Sequence, residues 1–529
     1  MAVDSIFETT TDDDQTSMLM AALAHPRQPL HLIDVPGRGI VAAPATEAAT
    51  IEARGGTRRG ILPPLYPEWL GDRQFAEVHG CRFPYVVGEM ARGIATPRMV
   101  IEAARAGLMG FYGSAGLDLA TTAAGVDAIR TTLGATANWG ANLIHTPGDA
   151  DREMATVSLF LDRRVPAMSA SAFMALAPAV VRYAASGLTR SSDGTIHRRG
   201  SVFAKVSRLE VAAPFMAPAP EAMLRDLAAA GHLTAAEVDL ARQVPVAEDV
   251  TVEADSGGHT DNRPLTALLP AMCQLRDTTV EAQVYPRPIR IGAAGGIGTP
   301  GAVAAAFALG ADYVLTGSIN QAAVESGLSA DARALLAAAG IADVAMAPAA
   351  DMFELGIQVQ VLKRGTLFAQ RARTLWSVYR AHDGIESIPA DVRHKLETDI
   401  FRESLEQAWA RTRAYFATVD PDEIARADRE PKHRMALVFR AYLFMAAQWA
   451  REGQTDRRVD YQIWCGPALG AFNDWARGSF LEPIDHRTVA QIARNLLEGA
   501  AVITRAQQVR TCGVDVPATA FAFTPRPLR

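Results

Sequence analysis

Cysteine is scarce: Cys81, Cys273, Cys465 and Cys512 are the four in 529 residues, and no two form a CxxC pair. That spacing offers neither a zinc site nor a disulfide framework, so no metal is expected and a reducing cytoplasm is the expected compartment. Clustered cations are missing too. With 52 basic against 58 acidic residues, a net charge of −6 and a pI near 6.0, the chain has no Lys/Arg block to meet a phosphate backbone, which argues against a nucleic-acid partner. No run of about 18 uninterrupted apolar residues occurs, so no membrane span is expected. The first residues, Met1-Ala-Val-Asp-Ser5, lead into an acidic Asp12-Asp-Asp14 and lack the apolar core of a signal peptide.

What is present is a balance of 49% hydrophobic and 21% charged residues, normal for a globular protein. The length exceeds one ordinary core, so one large domain plus an appended or inserted one is expected. Residues 289–319 are the most informative stretch: an apolar strand, the Gly-rich turn Ala293-Ala-Gly-Gly-Ile-Gly298, an Ala-rich helix from Thr299-Pro300, and a second apolar strand ending Thr316-Gly-Ser318. That is one βαβ unit with glycines at its phosphate-facing ends, which points to a flavin or another phosphate-bearing cofactor.

Short apolar runs recur at 84–90, 107–112, 139–144, 166–171, 201–206, 250–255, 288–293 and 312–317, mostly spaced to admit a helix between each pair. Eight such strands in about 235 residues fit an α/β fold of the (β/α)₈ TIM-barrel type, with an open doubly wound sheet as the competitor. The spacer Thr96-Pro97 to Gly107 has a Thr N-cap, Pro in the first turn and a terminal Gly, and Thr299-Pro300 repeats that start. The longest spacer, 207–249, carries helical patterns at Glu221–Ala230 and Thr234–Arg242 and is expected to form a lid or substrate wall. Residues 1–80 read as an N-terminal extension of mixed structure and 81–325 as the barrel. Residues 326–510 read as a mainly helical substrate or partner domain inserted after strand eight, and 511–529 as a frayed tail.

In a barrel the C-terminal strand ends share one face, so Gly88, Glu89, Met90, Asn142, Lys205, the 255–259 turn, Gly295, Gly296, Gly317 and Ser318 should converge. Glycines after strands seven and eight let backbone N–H groups approach a phosphate, although a Gly-rich turn alone is equally a tight loop. The segment Glu253 to Arg263 holds five ionisable side chains in eleven residues. Within it His259 suits a general acid beside a reducing cofactor; the plainer reading is an ordinary loop histidine. His145 and His197 have weaker cases. Lys205 sits in an apolar strand and needs a partner, either an anionic reduced flavin or a barrel carboxylate such as Glu253 or Asp255. Met90 and Asn142 suit the edge of a cofactor.

The run from Ala293 to Ser318 and the Gly257-Gly258-His259 turn resemble the nitronate monooxygenase superfamily of FMN-dependent barrels. Met346 to Gly365 and Tyr461 to Trp475 narrow that resemblance to the PfaD family, stand-alone enoyl reductases of polyunsaturated fatty acid and trans-acyltransferase polyketide synthases; the similarity runs from about residue 60 to 510. The resemblance implies FMN, NADPH as reductant, and an enoyl thioester on an acyl carrier protein domain as substrate, and it leaves room for a homodimer. Carried over by position, Gly257, Gly295, Gly296, Gly317 and Ser318 would hold the FMN phosphate, Gly88 and Met90 would line the ring, and His259 would be the active-site histidine; Gly258, Asn142 and Lys205 join them as cofactor-binding candidates. An acidic carrier calls for a basic patch near the mouth, with Arg190, Arg198, Arg199 and Arg208, or Lys363 and Arg364, as candidates. The rival readings are a nitronate monooxygenase and a non-catalytic protein that docks on a synthase.

Overall fold

The structure, a computed structural model, describes residues 12–146 and 148–529, so the reading made at Met1–Ser5 lies outside the described residues. Its centre is a closed barrel of eight parallel strands: β1 (Tyr85–Val87), β2 (Met109–Tyr112), β3 (Trp139–Ile144), β4 (Ala167–Ser171), β5 (Ser201–Val206), β6 (Asp249–Glu253), β7 (Arg290–Ala294) and β8 (Tyr313–Thr316). Each pairs with its neighbour in sequence and β8 closes on β1, through Val314–Tyr85, Leu315–Val86 and Thr316–Val87. All eight expected strands are present, and the open-sheet alternative falls.

Alternation along each strand separates two cores. On β5, Val202, Ala204 and Val206 face the helices while Phe203 and Lys205 point inward. The bore is filled by Phe111, Phe203 and Tyr313, with ring centroids 4.9 Å and 5.8 Å apart in turn. Two inward glycines make that possible: a Cβ on Gly140 would meet the Phe111 ring at 2.4 Å, and one on Gly292 the Tyr313 ring at 2.1 Å. At the foot, the short helix Arg73–His79 plugs the barrel. Phe75 stacks on Tyr313 at 4.6 Å, and His79 Nε2 lies 3.1 Å from Asp249 Oδ2. Arg290 donates to the same carboxylate from Nε (2.6 Å) and Nη2 (2.7 Å), so a fully buried acid is held by a guanidinium on one side and an imidazole on the other.

The helices start as the caps dictate: Thr96 Oγ1 accepts from Met99 N at 3.0 Å and Thr299 Oγ1 from Ala302 N at 3.3 Å, each ahead of a proline. The spacer after β5 departs from expectation. Its helices Glu221–Ala229 and Ala235–Ala241 pack on the helix Pro178–Ala185, and Glu237 accepts from Gly187 N at 2.6 Å, so they thicken the outer wall and form no lid.

Beyond β8 the chain leaves the barrel and returns. Residues 318–488 are mostly helical, but Val344–Pro348 and Gln358–Leu362 form an antiparallel ribbon, written in the sequence as the alternating Gln358-Val-Gln-Val361. The closing helix, Val489–Thr511, packs on the barrel helices Pro300–Ala308 and Pro97–Arg105, so the helical unit is an excursion between strand eight and the last helix of the outer ring. The same helix carries the N-terminal unit, whose strands Leu30–Val35, Gly39–Ala43 and Thr57–Leu62 form an antiparallel sheet; Leu19, Leu23, Leu30 and Leu32 share a core with Ala506 and Val509. The tail is not frayed. Arg526 N donates to Asn495 Oδ1 (2.8 Å), Leu528 N to Gln491 Oε1 (3.0 Å), and Trp475 Nε1 to Phe523 O (2.7 Å). Among the described residues no helix is long and apolar enough to cross a membrane.

Candidate functional site

Three groups of side chains gather at the mouth, where all eight strands end. The first is a buried polar chain inside the rim. Asn142 on β3 donates through Nδ2 to Ser171 Oγ (2.8 Å) and Ser169 O (3.1 Å), Ser169 Oγ donates to Glu89 Oε1 (2.9 Å), and Lys205 Nζ lies 3.1 Å from Glu89 and 3.3 Å from Glu253. Of the two partners considered for Lys205, the structure supplies the carboxylates: Glu253, as anticipated, joined by Glu89. Burial alone would lower the lysine's pKa, but Glu253 and Glu89 hold it above its usual value. Glu89 Oε2 is buried and has no partner among the described residues.

The second group is the histidine. Gly258-His259 does not hang in a loop; it pairs as a short strand with Val359-Gln360 of the ribbon and is thereby fixed to the helical excursion. The ribbon's turn brings Asp351 Oδ2 to 3.3 Å from His259 Nε2. Burial disfavours the imidazolium, yet the Asp351 carboxylate, with help from Glu253, outweighs it and raises the His259 pKa above its ordinary value. The contact is an ion pair without the alignment of a full hydrogen bond, and Nε2 has no other partner among the described residues. The other two histidines stand apart: His145 Nδ1 is 2.9 Å from Glu153 Oε1, and His197 lies on an exposed hairpin at the opposite face.

The third group is glycine, and a side chain would mean different things along it. On Gly88 a Cβ would meet Leu315 at 2.5 Å, on Gly257 the Cys465 backbone at 2.8 Å, and on Gly295 the Ala254 backbone at 2.7 Å. These glycines permit protein to pack on protein. Gly296 and Gly317 have nothing within 4 Å of a would-be Cβ, so both border open space beside the capped start of the helix Pro300–Ala308. Ser318 Oγ accepts from Gly466 N at 3.1 Å, which seats the loop 464–470 beside them. Met90 is buried, its carbonyl accepting from Ala95 N at 3.0 Å.

Two open-sided glycines at the ends of neighbouring strands, on the same face as the partnerless buried acceptors Glu89 Oε2 and Gln321 Oε1, fit a phosphate-tailed cofactor with hydrogen-bond donors on its body. The strand-end side chains come together as the barrel pattern requires. Asp351, Gln360 and the Cys465-Gly466 loop were not foreseen, because they reach the mouth only through the folding of the excursion. Gln360 Nε2 donates to Asp255 Oδ1 and to Ser256 O, both at 2.7 Å, and so ties the ribbon to the loop after β6. The suggested basic patch does not assemble. Arg190, Arg198 and Arg199 belong to a hairpin that feeds the N-terminal end of β5, at the foot, and Arg198 pairs with Glu248 there. Arg208 is at the mouth but is chelated by Asp261 through two 2.9 Å bonds, and Arg364 is 3.3 Å from Asp343.

Residues 382–461 match the family described as [acyl-carrier-protein] S-malonyltransferase, inserted helical domain. Over 475 residues the chain is 42% identical to a polyunsaturated fatty acid synthase subunit of Thraustochytrium sp., covering 88% of this chain and 32% of that protein. Over 446 residues it is 42% identical to the polyketide biosynthesis protein PksE of Bacillus subtilis, covering 84% and 58%. The chain thus spans less than two thirds of the length of these curated relatives. Among solved structures, the enoyl reductase domain of MlnA from the macrolactin biosynthesis cluster of Bacillus amyloliquefaciens superposes with a TM-score of 0.80 at 36% identity, over 84% of this chain and 99% of that one.

Proposed function

We infer the activity from one premise: the chain belongs to the PfaD family of enoyl reductases of polyunsaturated fatty acid and polyketide synthases. On that premise it is an FMN-dependent enoyl reductase acting in trans. Its reductant is NADPH, and its substrate is the α,β double bond of an enoyl thioester carried on an acyl carrier protein. The observation that carries the reading is the His259–Asp351 pair standing on the same barrel face as the open-sided Gly296 and Gly317. The likeness of residues 382–461 to a domain of an enzyme named for acyl carrier protein supports the choice of partner.

Gly296, Gly317 and Ser318 would hold the FMN phosphate, with Gly257, Gly258 and Gly295 setting the close-packed turns beside them through their backbone; Gly88, Met90, Asn142 and Lys205 would line its ring. Bound there, the flavin supplies the hydride-transfer chemistry that amino-acid side chains lack. The chain's own part is positional and protic. The Glu89–Lys205–Glu253 network fixes the inner wall, so the reacting carbons meet a preset surface. Asp351 answers the Nε2 side of His259, and Nδ1 would be the side offered to a ligand. With its pKa raised, the imidazole keeps its proton to higher pH than an ordinary histidine and would deliver it to the thioester's Cα or hydrogen-bond the carbonyl oxygen as charge builds there.

The test is a visible spectrum of the purified protein, followed by anaerobic mixing with NADPH and then crotonyl thioester. Bleaching of the flavin band by NADPH and its return on adding the thioester is the expected result. A colourless protein that refuses added FMN, or one whose bleached flavin ignores the thioester while the protein consumes oxygen in the steady state with alkyl nitronates, overturns the reading.

A further inference from the structure

We propose a second anion site, for a phosphate ester, at the lip of the mouth, where the loop after β1 meets the long helix Pro431–Glu452 of the helical excursion. Arg92 leaves β1 three residues beyond Glu89 and is held at φ +60°, a left-handed backbone that a non-glycine residue seldom adopts. Its guanidinium carbon lies 3.8 Å from the centre of the Phe444 ring, and its Nη1 donates to Phe444 O at 3.2 Å. Two turns further along the same helix, Arg451 donates from Nη1 to Arg92 O at 2.9 Å. Two half-buried guanidinium groups thus converge on one loop, and among the described residues neither has a carboxylate within ion-pair distance.

This distinguishes the pair from Arg208, whose charge Asp261 already answers. Burial, and behind it repulsion from Arg451, brings the Arg92 pKa down to about 10, the direction expected of a cation that lacks its counter-ion. Arg92 is not a loose surface side chain, since ring stacking, a carbonyl bond and a constrained backbone all fix it. The fork-shaped donors of guanidinium suit the oxygens of a phosphate, and the exposed Phe444 and Tyr415 give the rest of such a ligand an aromatic surface. The choice of ligand rests on the reductase reading, because both substrates of that reaction carry phosphate: the dinucleotide reductant, and the pantetheine arm of a carrier. Either source satisfies the site chemically, and the experiment separates them.

The full chain is compared with Arg92→Gln, Arg451→Gln and the double variant, using crotonyl-pantetheine with and without its 4′-phosphate, at fixed and then varied NADPH. A selective rise of about tenfold or more in KM for the phosphorylated thioester, with the unphosphorylated one unmoved, assigns the carrier arm; the same rise confined to NADPH assigns the reductant. Arg92→Lys, which keeps the charge, should recover part of either effect. Unchanged KM values, or equal rises for both thioesters, overturn the proposal, the second because it reports only a distorted mouth. Calorimetric titration of the wild-type protein with pantetheine 4′-phosphate, pantetheine and NADPH needs neither turnover nor a folded variant. If neither phosphate compound binds, or if the 4′-phosphate adds nothing over pantetheine and NADPH fails to bind, the site is refuted. If one binds while enoyl turnover is absent, it is the reductase reading that falls.

Discussion

His259 and Asp351 meet at 3.3 Å because a two-stranded ribbon from the helical excursion folds back and takes the Gly258-His259 dipeptide as its third strand. The protonation of the mouth's histidine is therefore governed from outside the barrel.

That dependence fixes a pH profile. With its pKa raised, His259 is protonated below the raised value and loses its proton as pH climbs through it, so turnover that needs the imidazolium should hold at low pH and fall on the alkaline side. Asp351→Asn removes the raising partner and leaves the burial that lowers, so the alkaline fall should begin at lower pH. A kcat/KM profile of the two proteins decides it, and coincident profiles would remove Asp351 from the mechanism.

Removing the imidazole tests its role directly. His259→Ala should reduce enoyl turnover by roughly 10²–10⁴, the usual cost of losing a general acid, with FMN still bound. A loss under about threefold in flavin-loaded protein, measured by NADPH oxidation, would assign the proton to another donor.

The two kinds of glycine should respond differently to a methyl group. Gly317 sits at φ −119° with open space around its would-be Cβ, so Gly317→Ala should leave the melting temperature unchanged while weakening FMN binding about tenfold or more, as read by flavin fluorescence quenching. At Gly257 the added carbon would lie 2.8 Å from the Cys465 backbone, and Gly257→Ala should cost about 1–3 kcal/mol of stability in urea unfolding.

At the foot of the barrel, Asp249→Asn leaves Arg290 buried without its counter-charge and should destabilise by about 3–5 kcal/mol. Burial would raise the Asp249 pKa, but Arg290 and His79 more than reverse that and hold it far below the carboxylate range. The contribution is therefore complete above the unfolded-state value, about 3.9, and drains away as pH falls through the depressed one. Urea midpoints from pH 5 to pH 2 should fall in the wild type and fall less steeply in the variant.

The barrel was legible because each strand is a short apolar run ahead of a cap signal, as at Thr96-Pro97 and Thr299-Pro300, and those signals act locally. Glu253 as a partner for Lys205 was legible for a similar reason: an ammonium inside an apolar strand demands an anion, and neighbouring strands supply few. Asp351 and the Arg92–Arg451 pair were not, since nothing near Pro348 or Phe444 says which barrel loop those segments will meet. The lid expected after β5 failed because amphipathic periodicity states that a helix has a buried face and leaves open what covers it. The tail looked free because its anchors, Gln491 and Asn495, are ordinary polar residues of a long helix until the chain turns back on them.

Phe111, Phe203 and Tyr313, with Phe75 beneath them, leave no passage through the cylinder. A vessel sealed at its base can be reached only from its rim, so on the reductase reading electron donor and electron acceptor would both approach from that end. Sharing one approach would set the spent donor against the incoming acceptor, and would give the residues around the entrance, more than those at the base, authority over which is admitted.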